Sequence, residues 1–299
     1  MHLLLLITGG GSGFIGTAVK RLLTQRGHSV LLVSRTPGKD KISWDRLKSK
    51  GLPACDAVVS LSGENILNPL KRWTEEFQKE VTDSRVKTTA TLVKAIAEAN
   101  KPPTVFVSSS AVGYYAPSLT DEYTEDSHGG HANELARLCA AWEESSILPE
   151  THDHVRHVTV RIGLVLGRGG GAIEQMIWPF RLGVGGVLGS GNQYFPWIHI
   201  DDIAGIFVHA IENPNTPAIL NGVAPSPITN REFTKAFASA LWRPAIIPAP
   251  GFAIKTVFGS ERAVMLLEGQ KVIPKRTIES GYEFKFPDIE GAVKNIVAC

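Results

Sequence analysis

Residues 3–16 read LLLLITGGGSGFIG, an uncharged apolar run followed directly by a glycine-rich turn. The run from Leu3 to Ile7 has the length of one buried strand, and the amphipathic segment from Thr17 to Arg26 predicts a helix after the turn. A strand, a glycine turn and a helix in this order are the setting of a dinucleotide-binding loop, where the N–H groups of the helix start face a pyrophosphate. The segment therefore predicts a doubly wound parallel α/β fold, the Rossmann type, although a glycine-rich turn alone could also be structural.

The glycines of this loop follow each other at three-residue spacing, and each has a separate expected role. Gly10 allows the tight turn, Gly13 lets the pyrophosphate approach the backbone, and Gly16 lets the helix pack closely on the strand. We predict that the loop contacts the cofactor through Gly10, Ser12, Gly13, Phe14, Ile15 and Gly16.

The second apolar run, Ser29 to Val33, ends in Ser34 and Arg35, about twenty residues after the glycines. A site for NAD usually has an acidic residue here, which binds the ribose hydroxyls, whereas an arginine suits a 2′-phosphate. We therefore predict NADP(H) as the cofactor, with Lys39 as a second candidate contact. A solvated loop charge is the alternative reading of Arg35.

The composition excludes several classes of protein. The 299 residues can bury a sizeable core, and the net charge of +2 gives no electrostatic case for nucleic acid or an anionic membrane. The three cysteines lack paired spacing, which predicts a reducing compartment and no zinc site. With no targeting signal in view, we expect an intracellular protein, cytoplasmic rather than organellar.

Further apolar runs at 57–61, 104–107, 158–166 and 220–223 predict strands, and helical periodicity appears at 73–100, 133–146 and 203–211. Their alternation is what a parallel sheet with crossover helices needs. Leu61 and Ser62 end one such run, at the edge where parallel sheets bind ligands. The glycine-rich stretch from Gly167 to Gly191 carries bulky apolar residues, which predicts an ordered substrate loop.

The GFIG turn, the SSS strand end with AVGYY, and WIHIDDIA resemble the extended short-chain dehydrogenase/reductases of the sugar-nucleotide epimerase branch. SGENI, WPFRLG, LLEGQKVIP and GYEFKFP resemble the subgroup known as epimerase family proteins, over essentially the whole chain. The resemblance implies a Rossmann domain of residues 1–166 and 197–223, with a smaller, discontinuous substrate domain of residues 167–196 and 224–299.

The family's reaction needs a tyrosine and, four residues later on one helix, a lysine that lowers the tyrosine pKa, and a serine or threonine that orients the substrate carbonyl. Ser110 matches the serine, unless it only satisfies backbone groups at the strand end. No tyrosine of this chain has a lysine four residues later. If Glu143 marks the register of the helix, Leu135 and Cys139 stand at the four-residue spacing of the pair, and Cys139 is read as a core residue. Tyr114 and Tyr115 could reach the pocket from the serine loop, with aromatic packing as the alternative, and Tyr114 is the candidate for a relocated acid.

Other expectations depend on the family layout. The helix that carries Glu80 and Arg85 would run beside the cofactor, where the two could bind ribose or phosphate. A mutual or a surface ion pair is the alternative. The backbone around Val165 would touch the nicotinamide, and Arg161, His199 and Asp202 are read as structural. Clustered histidines lie in polar loops, so no metal site is predicted.

The sequence thus predicts an NADP(H)-dependent oxidoreductase or epimerase-like enzyme that acts on a small molecule with a carbonyl or alcohol group, such as a sugar nucleotide. The missing tyrosine–lysine pair leaves open an NADP(H)-binding sensor with little or no turnover. We expect neither nucleic acid nor a membrane as partner, and a homodimer is left open.

Overall fold

The computed structural model describes residues 2–9, 13–36, 38–68 and 70–298. The strands are β1 Leu4–Thr8, β2 Ser29–Ser34, β3 Lys41–Ser43, β4 Ala57–Ser60, β5 Val105–Ala111, β6 Glu122–Tyr123, β7 Arg156–Ile162, β8 Leu164–Leu166, β9 Trp197–His199, β10 Ile219–Gly222 and β11 Lys271–Val272. The helices are α1 Phe14–Gln25, α2 Trp44–Lys50, α3 Glu75–Asp83, α4 Val86–Ala97, α5 Glu134–Glu144, α6 Gly171–Arg181, α7 Ile200–Glu212, α8 Asn230–Ala240, α9 Gly251–Phe258, α10 Ser260–Leu267, α11 Lys275–Glu279 and α12 Ile289–Val297.

Seven strands form one parallel sheet in the order β3-β2-β1-β4-β5-β7-β10. The chain starts at β1, winds outward through β2 and β3, and then returns to β4 on the other side of β1. The predicted doubly wound α/β fold is therefore confirmed. The crevice at the carboxyl ends of β1 and β4, where the strand order reverses, is the place where such sheets bind ligands.

The strands of the sheet alternate between two hydrophobic cores. In β1, Leu5 and Ile7 belong to the core on one face, whereas Leu6 belongs to the core on the other, and all three are fully buried. Because both faces are covered, the strands read as uninterrupted apolar runs in the sequence.

Two sequence-based assignments are corrected by the structure. The run 158–166, predicted as one strand, is two strands, and β8 leaves the main sheet to pair with β9. The change comes at Gly163, where a Cβ would lie 2.5 Å from the carbonyl oxygen of Pro196. The stretch from Gly167 to Gly191, predicted as a loop, contains helix α6 with Pro179 inside it.

A third core joins α6 and β9 to the C-terminal helices. It includes Phe180 from α6, Trp197 from β9, Phe237 from α8 and Val293 from α12. The predicted limits of the two domains stay a prediction. Among the helices that the structure describes, none has the length and apolar character to cross a bilayer.

Candidate active site at the carboxyl edge of the sheet

The turn after β1 depends on two glycines. Gly9 has a φ of +73°, and a Cβ on it would lie 2.4 Å from the carbonyl oxygen of Leu61. A Cβ on Gly13 would lie 2.4 Å from the carbonyl oxygen of Gly9, which accepts the Gly13 N–H at 3.2 Å. Gly13 is therefore required by the packing of the turn itself, in addition to any approach of a pyrophosphate. Sequence reasoning passed over Gly9, while Gly10 and Ser12 lie outside the described residues.

The start of α1 is open to an anion. Its N-cap, the exposed Gly13, provides no side-chain cap, and its first turn has no acidic residue. Side chains cap the starts of α2, α3, α5, α7, α8 and α12. An uncapped helix start leaves N–H groups and the positive end of the helix dipole available for phosphate. The described part of the loop therefore suits a dinucleotide.

Phe14 connects this loop to the chain beyond the sheet. A Cβ on Gly167, Gly170 or Gly171 would lie within 2.9 Å of the Phe14 ring, so these glycines let the backbone pack on the ring. A Cβ on Gly171 would also lie 2.8 Å from the carbonyl oxygen of Val165. The structure thus brings Phe14 and Val165 together. Ile15 packs half-buried on the core under the sheet, and Gly16 is buried.

A positively charged side chain, that of Arg35, follows the end of β2. The Ser34 hydroxyl accepts the N–H of Thr36 at 3.1 Å, which fixes the turn. Arg35 is exposed beside it. Since β2 is the neighbour of β1, Arg35 follows the strand next to the glycine turn, and its contact with a 2′-phosphate stays a prediction.

The loop after β4 is held by buried polar groups. The N–H of Leu61 donates to the Thr8 hydroxyl at 3.1 Å, so Leu61 and Ser62 lie beside the glycine turn. Arg85 donates to the carbonyl oxygens of Glu64 at 2.9 Å and Val81 at 3.1 Å. Burial lowers the pKa of Arg85 to about 10. In the structure Arg85 shapes this loop, and its predicted contact with ribose or phosphate stays a prediction.

Glu80 and Arg85 have different hydrogen-bond partners. Both carboxylate oxygens of Glu80 accept from Lys71 at 2.8 Å on the surface. The contact seen for Glu80 is thus a surface ion pair, with Lys71 as its partner, and its contact with ribose or phosphate stays a prediction.

Ser110 is the centre of a buried polar network. Its hydroxyl donates to Glu143 on α5 at 2.7 Å, and Glu143 accepts two hydrogen bonds from Arg161 on β7, at 2.8 and 2.9 Å. Ser110 and Arg161 are partners in the register of β5 and β7, which brings both to α5. Burial lowers the pKa of Arg161, but hydrogen bonds and the charge of Glu143 outweigh it and keep the pKa above its ordinary value. Sequence reasoning did not identify Glu143 as a functional group.

The two adjacent tyrosines have different surroundings. The Tyr114 ring stacks on the Arg161 guanidinium, 3.7 Å from ring centroid to Cζ. Tyr115 is fully buried, and its hydroxyl accepts from Arg161 at 2.9 Å and donates to Asn221 at 2.8 Å. Burial raises the pKa of Tyr115. The tyrosine whose hydroxyl joins the hydrogen-bond network is therefore Tyr115, whereas the sequence analysis named Tyr114 as the candidate acid.

Helix α5 presents two residues at four-residue spacing toward this network, Cys139 and Glu143. A Cβ on Gly113, in the turn after β5, would lie 3.6 Å from the Cys139 sulfur. Burial raises the pKa of Cys139 to about 12, so the group is a thiol at neutral pH. Neither Cys139 nor Leu135, four residues before it, can replace the family's tyrosine or lysine. Of the residues that this helix presents to the network, Glu143 is therefore the one that can exchange a proton.

The remaining polar residues near the crevice have structural contacts. His199 caps α7, accepting the Asp201 N–H at 3.1 Å, and Asp202 is fully buried against the tail. Within the described ranges, no three histidine, cysteine or acidic side chains are grouped so that they could hold a metal ion.

Comparison with known proteins gives consistent matches. Residues 5–221 match the NAD dependent epimerase/dehydratase family, and residues 249–296 match a domain of unknown function, DUF1731. The epimerase family protein SDR39U1 of Bos taurus is 57% identical over 293 residues, 98% of this chain and 99% of that protein. The chloroplastic homologue of Arabidopsis thaliana is 36% identical, over 96% of this chain and 85% of that protein.

A solved structure agrees with these relatives. The crystal structure of human epimerase family protein SDR39U1 with NADPH has a TM-score of 0.96 and 55% identity, covering 98% of each chain. The family match covers most of the sheet, from β1 to β10. The chain therefore belongs to the NAD dependent epimerase/dehydratase family, as the sequence motifs indicated.

Proposed function

We propose that this chain is an NADP(H)-dependent oxidoreductase acting on a small molecule with a carbonyl or alcohol group. The nucleotide is supported by the uncapped start of α1, by the exposed Arg35 at the end of β2, and by the human relative crystallised with NADPH. NADP(H), when bound, supplies or accepts the hydride. The EC class 1.1.1 is part of this proposal.

The hydrogen bond from Ser110 to Glu143 is the single observation that carries the proposed chemistry. In the oxidation direction, a substrate alcohol placed on Ser110 gives its proton to the serine oxygen as the serine proton passes to the Glu143 carboxylate. In the reduction direction the same route returns one proton to the carbonyl oxygen. Arg161 holds Glu143 through two hydrogen bonds and so fixes the acceptor. A positioned acid/base group of this kind contributes about 10²–10⁴-fold in rate.

Two substitutions test this route. We expect Ser110→Ala to lower turnover by about 10²–10³-fold, the scale for loss of one oriented donor. Glu143→Gln keeps the size and an oxygen acceptor but cannot take the proton, so we expect a loss of about 10²–10⁴-fold. Turnover is followed as NADPH oxidation over a panel of carbonyl compounds and as NADP⁺ reduction over the matching alcohols.

The neighbouring Glu144→Gln is the matched control, because Glu144 is exposed on the same helix. Far-UV circular dichroism and NADPH affinity show whether each variant is folded and loaded. Turnover that survives both Ser110→Ala and Glu143→Gln, at normal NADPH affinity, would remove this pair from the reaction.

A second function, NADP(H) binding without turnover, is favoured by one observation. The Ser110 side chain is buried, with 1% of the residue exposed, and its hydroxyl is already bonded to Glu143. The chain has no tyrosine–lysine pair to supply the acid, and burial keeps Cys139 on α5 as a thiol at neutral pH. Tight NADPH binding with no turnover on the whole panel would select this alternative.

A further inference from the structure

A groove outside the candidate active site is lined by basic side chains of α8. Arg231 and Lys235 line it from α8, and Arg243 lies just beyond the end of that helix. The hydroxyl-bearing residues Thr234 and Ser239 lie between the cations, and the groove has a volume of about 380 Å³. Cations and hydroxyls without an acidic residue are the groups that bind phosphate.

The positive charge of this groove is not neutralised locally. The salt bridges of the described residues include none of the three cations. The residues that line the groove include no aspartate or glutamate, and the carboxylate of Glu232, which follows Arg231 on α8, accepts instead from the N–H and hydroxyl of Thr229. The net charge of +2 is therefore no guide to this groove, where positive charge is concentrated locally.

Large apolar side chains lie exposed beside the groove. Leu182, Trp242 and Ile246 are 74%, 91% and 77% exposed. The segments that carry them pack together, because the N–H of Ile247 donates to the carbonyl oxygen of Gly185 at 3.4 Å. Exposed apolar residues next to cations are typical of surfaces that insert into the interface of an anionic bilayer.

The backbone of Trp242 gives an independent indication. Its φ is +55°, and it follows the C-cap of α8. The backbone N–H of Trp242 donates to the carbonyl oxygen of Ser239, and the N–H of Arg243 donates to that of Ala238. This is a Schellman motif, whose left-handed position favours glycine. A tryptophan that is 91% exposed gains little packing there to offset the strain. Stability of the fold does not explain why this position carries a tryptophan.

We propose that this groove and its apolar rim form a docking surface for an anionic lipid membrane. The cations would bind lipid phosphates while Trp242, Leu182 and Ile246 enter the interface. A second copy of the chain suits the surface less well, because a two-fold contact would place the three cations of each copy against the other's. The expectation of no membrane partner came from the net charge of the whole chain. This proposal revises it, because the charge of the groove is locally positive.

Sedimentation with vesicles tests the proposal on the full chain. We expect binding to vesicles of phosphatidylcholine with phosphatidylglycerol, little binding to phosphatidylcholine alone, and weakening at high salt. Arg243→Gln should lower the partition coefficient about fivefold, the effect of removing one base near such a surface. Trp242→Gly should also lower it severalfold, while its melting temperature stays the same or rises.

Trp242→Gly separates docking from folding, because glycine relieves the left-handed strain. Ile147→Ser, at an exposed isoleucine after α5, is the control for loss of apolar surface and should leave vesicle binding unchanged. Equal binding to neutral vesicles, or unchanged binding by both groove variants, would overturn the proposal. Displacement by millimolar inorganic phosphate, or Arg243-dependent binding of a DNA duplex in place of vesicles, would also overturn it.

Discussion

Arg35 is the residue from which the choice between NADPH and NADH can be tested. Its guanidinium is exposed where an NAD site would have a carboxylate. A charge-assisted contact with the 2′-phosphate is worth about 1.5–3 kcal/mol, which corresponds to about ten- to a hundredfold in affinity. We therefore expect Arg35→Ala to weaken NADPH binding by that factor and to leave NADH binding nearly unchanged, as measured by titration of both nucleotides.

Lys39→Ala serves as the comparison, because Lys39 is also an exposed base after β2. We expect a smaller loss for it, since lysine lacks the planar fork that pairs with phosphate. Equal affinities of the unmodified chain for NADPH and NADH would contradict the assignment of Arg35.

At the same scale, the sequence predicts positions better than contacts. Ser110 could be found because a serine at the end of a buried strand lies at the ligand-binding edge of the sheet. Its acceptor, Glu143, is 33 residues away on a helix, and only the packing of α5 on β5 decides which face of the helix meets the strand. Tyr114 and Tyr115 are adjacent and chemically identical, so only the turn after β5 determines which one is buried.

At the scale of elements, the β5–β7 pair contains a titratable group that makes stability depend on pH. His157 is hydrogen-bonded to the Ser108 hydroxyl at 2.9 Å and stacks on Phe106, 5.0 Å between ring centroids. Burial lowers its pKa from 6.5 to about 4. The unfolded chain therefore takes up this proton at a higher pH than the folded chain does. The contribution of His157 to the free energy of unfolding is thus fully present above about pH 6.5 and is lost as the pH falls toward 4.

We expect His157→Gln to reduce that pH dependence. The wild-type free energy of unfolding, measured by urea denaturation, should fall by up to about 3 kcal/mol more than that of the variant between pH 7 and pH 4. Comparison with the variant is needed because acidic residues with lowered pKa, such as Glu212, change stability in the same direction. Parallel curves for the two proteins would show that His157 is not the group responsible.

Strands and helices were predictable from the sequence where a local pattern, an apolar run or a helical periodicity, was enough to define them. Buried strands appear as apolar runs, and the predicted helix or helix pair at 73–100 is two helices, interrupted at Ser84 and Arg85. Helix α6 was missed because glycines precede it and Pro179 lies within it, and both residues normally disfavour a helix. Its apolar side chains are buried in the third core, so tertiary packing outweighs the local preference.

At the scale of the whole molecule, one buried carboxylate joins the tail to the sheet-covering helix α7. Asp202 is fully buried and accepts the N–H groups of Lys285 at 2.7 Å and Phe286 at 3.0 Å, and the Tyr282 hydroxyl at 3.1 Å. The motif GYEFKFP, which identified the subgroup in the sequence, is thus the segment that wraps around Asp202. The described contacts give this motif a structural role.

This clamp predicts a large difference between two neighbouring aspartates. Asp202→Ala would remove the carboxylate that accepts the part-buried N–H groups of Lys285 and Phe286 and the Tyr282 hydroxyl, at a cost of about 3–5 kcal/mol in the free energy of unfolding. Asp201→Ala is the matched control, because the contact that the described residues give the Asp201 carboxylate is a surface salt bridge with Arg21. Asp201 lies in the first turn of the same helix, and its loss should cost less than about 1 kcal/mol. Urea denaturation gives both values, and hydrogen exchange at the Lys285 and Phe286 amides should accelerate only in Asp202→Ala. If the two variants lose the same stability and keep the same amide protection, the tail is held by its apolar contacts, such as the Phe286 ring on the core, and the carboxylate is not the clamp.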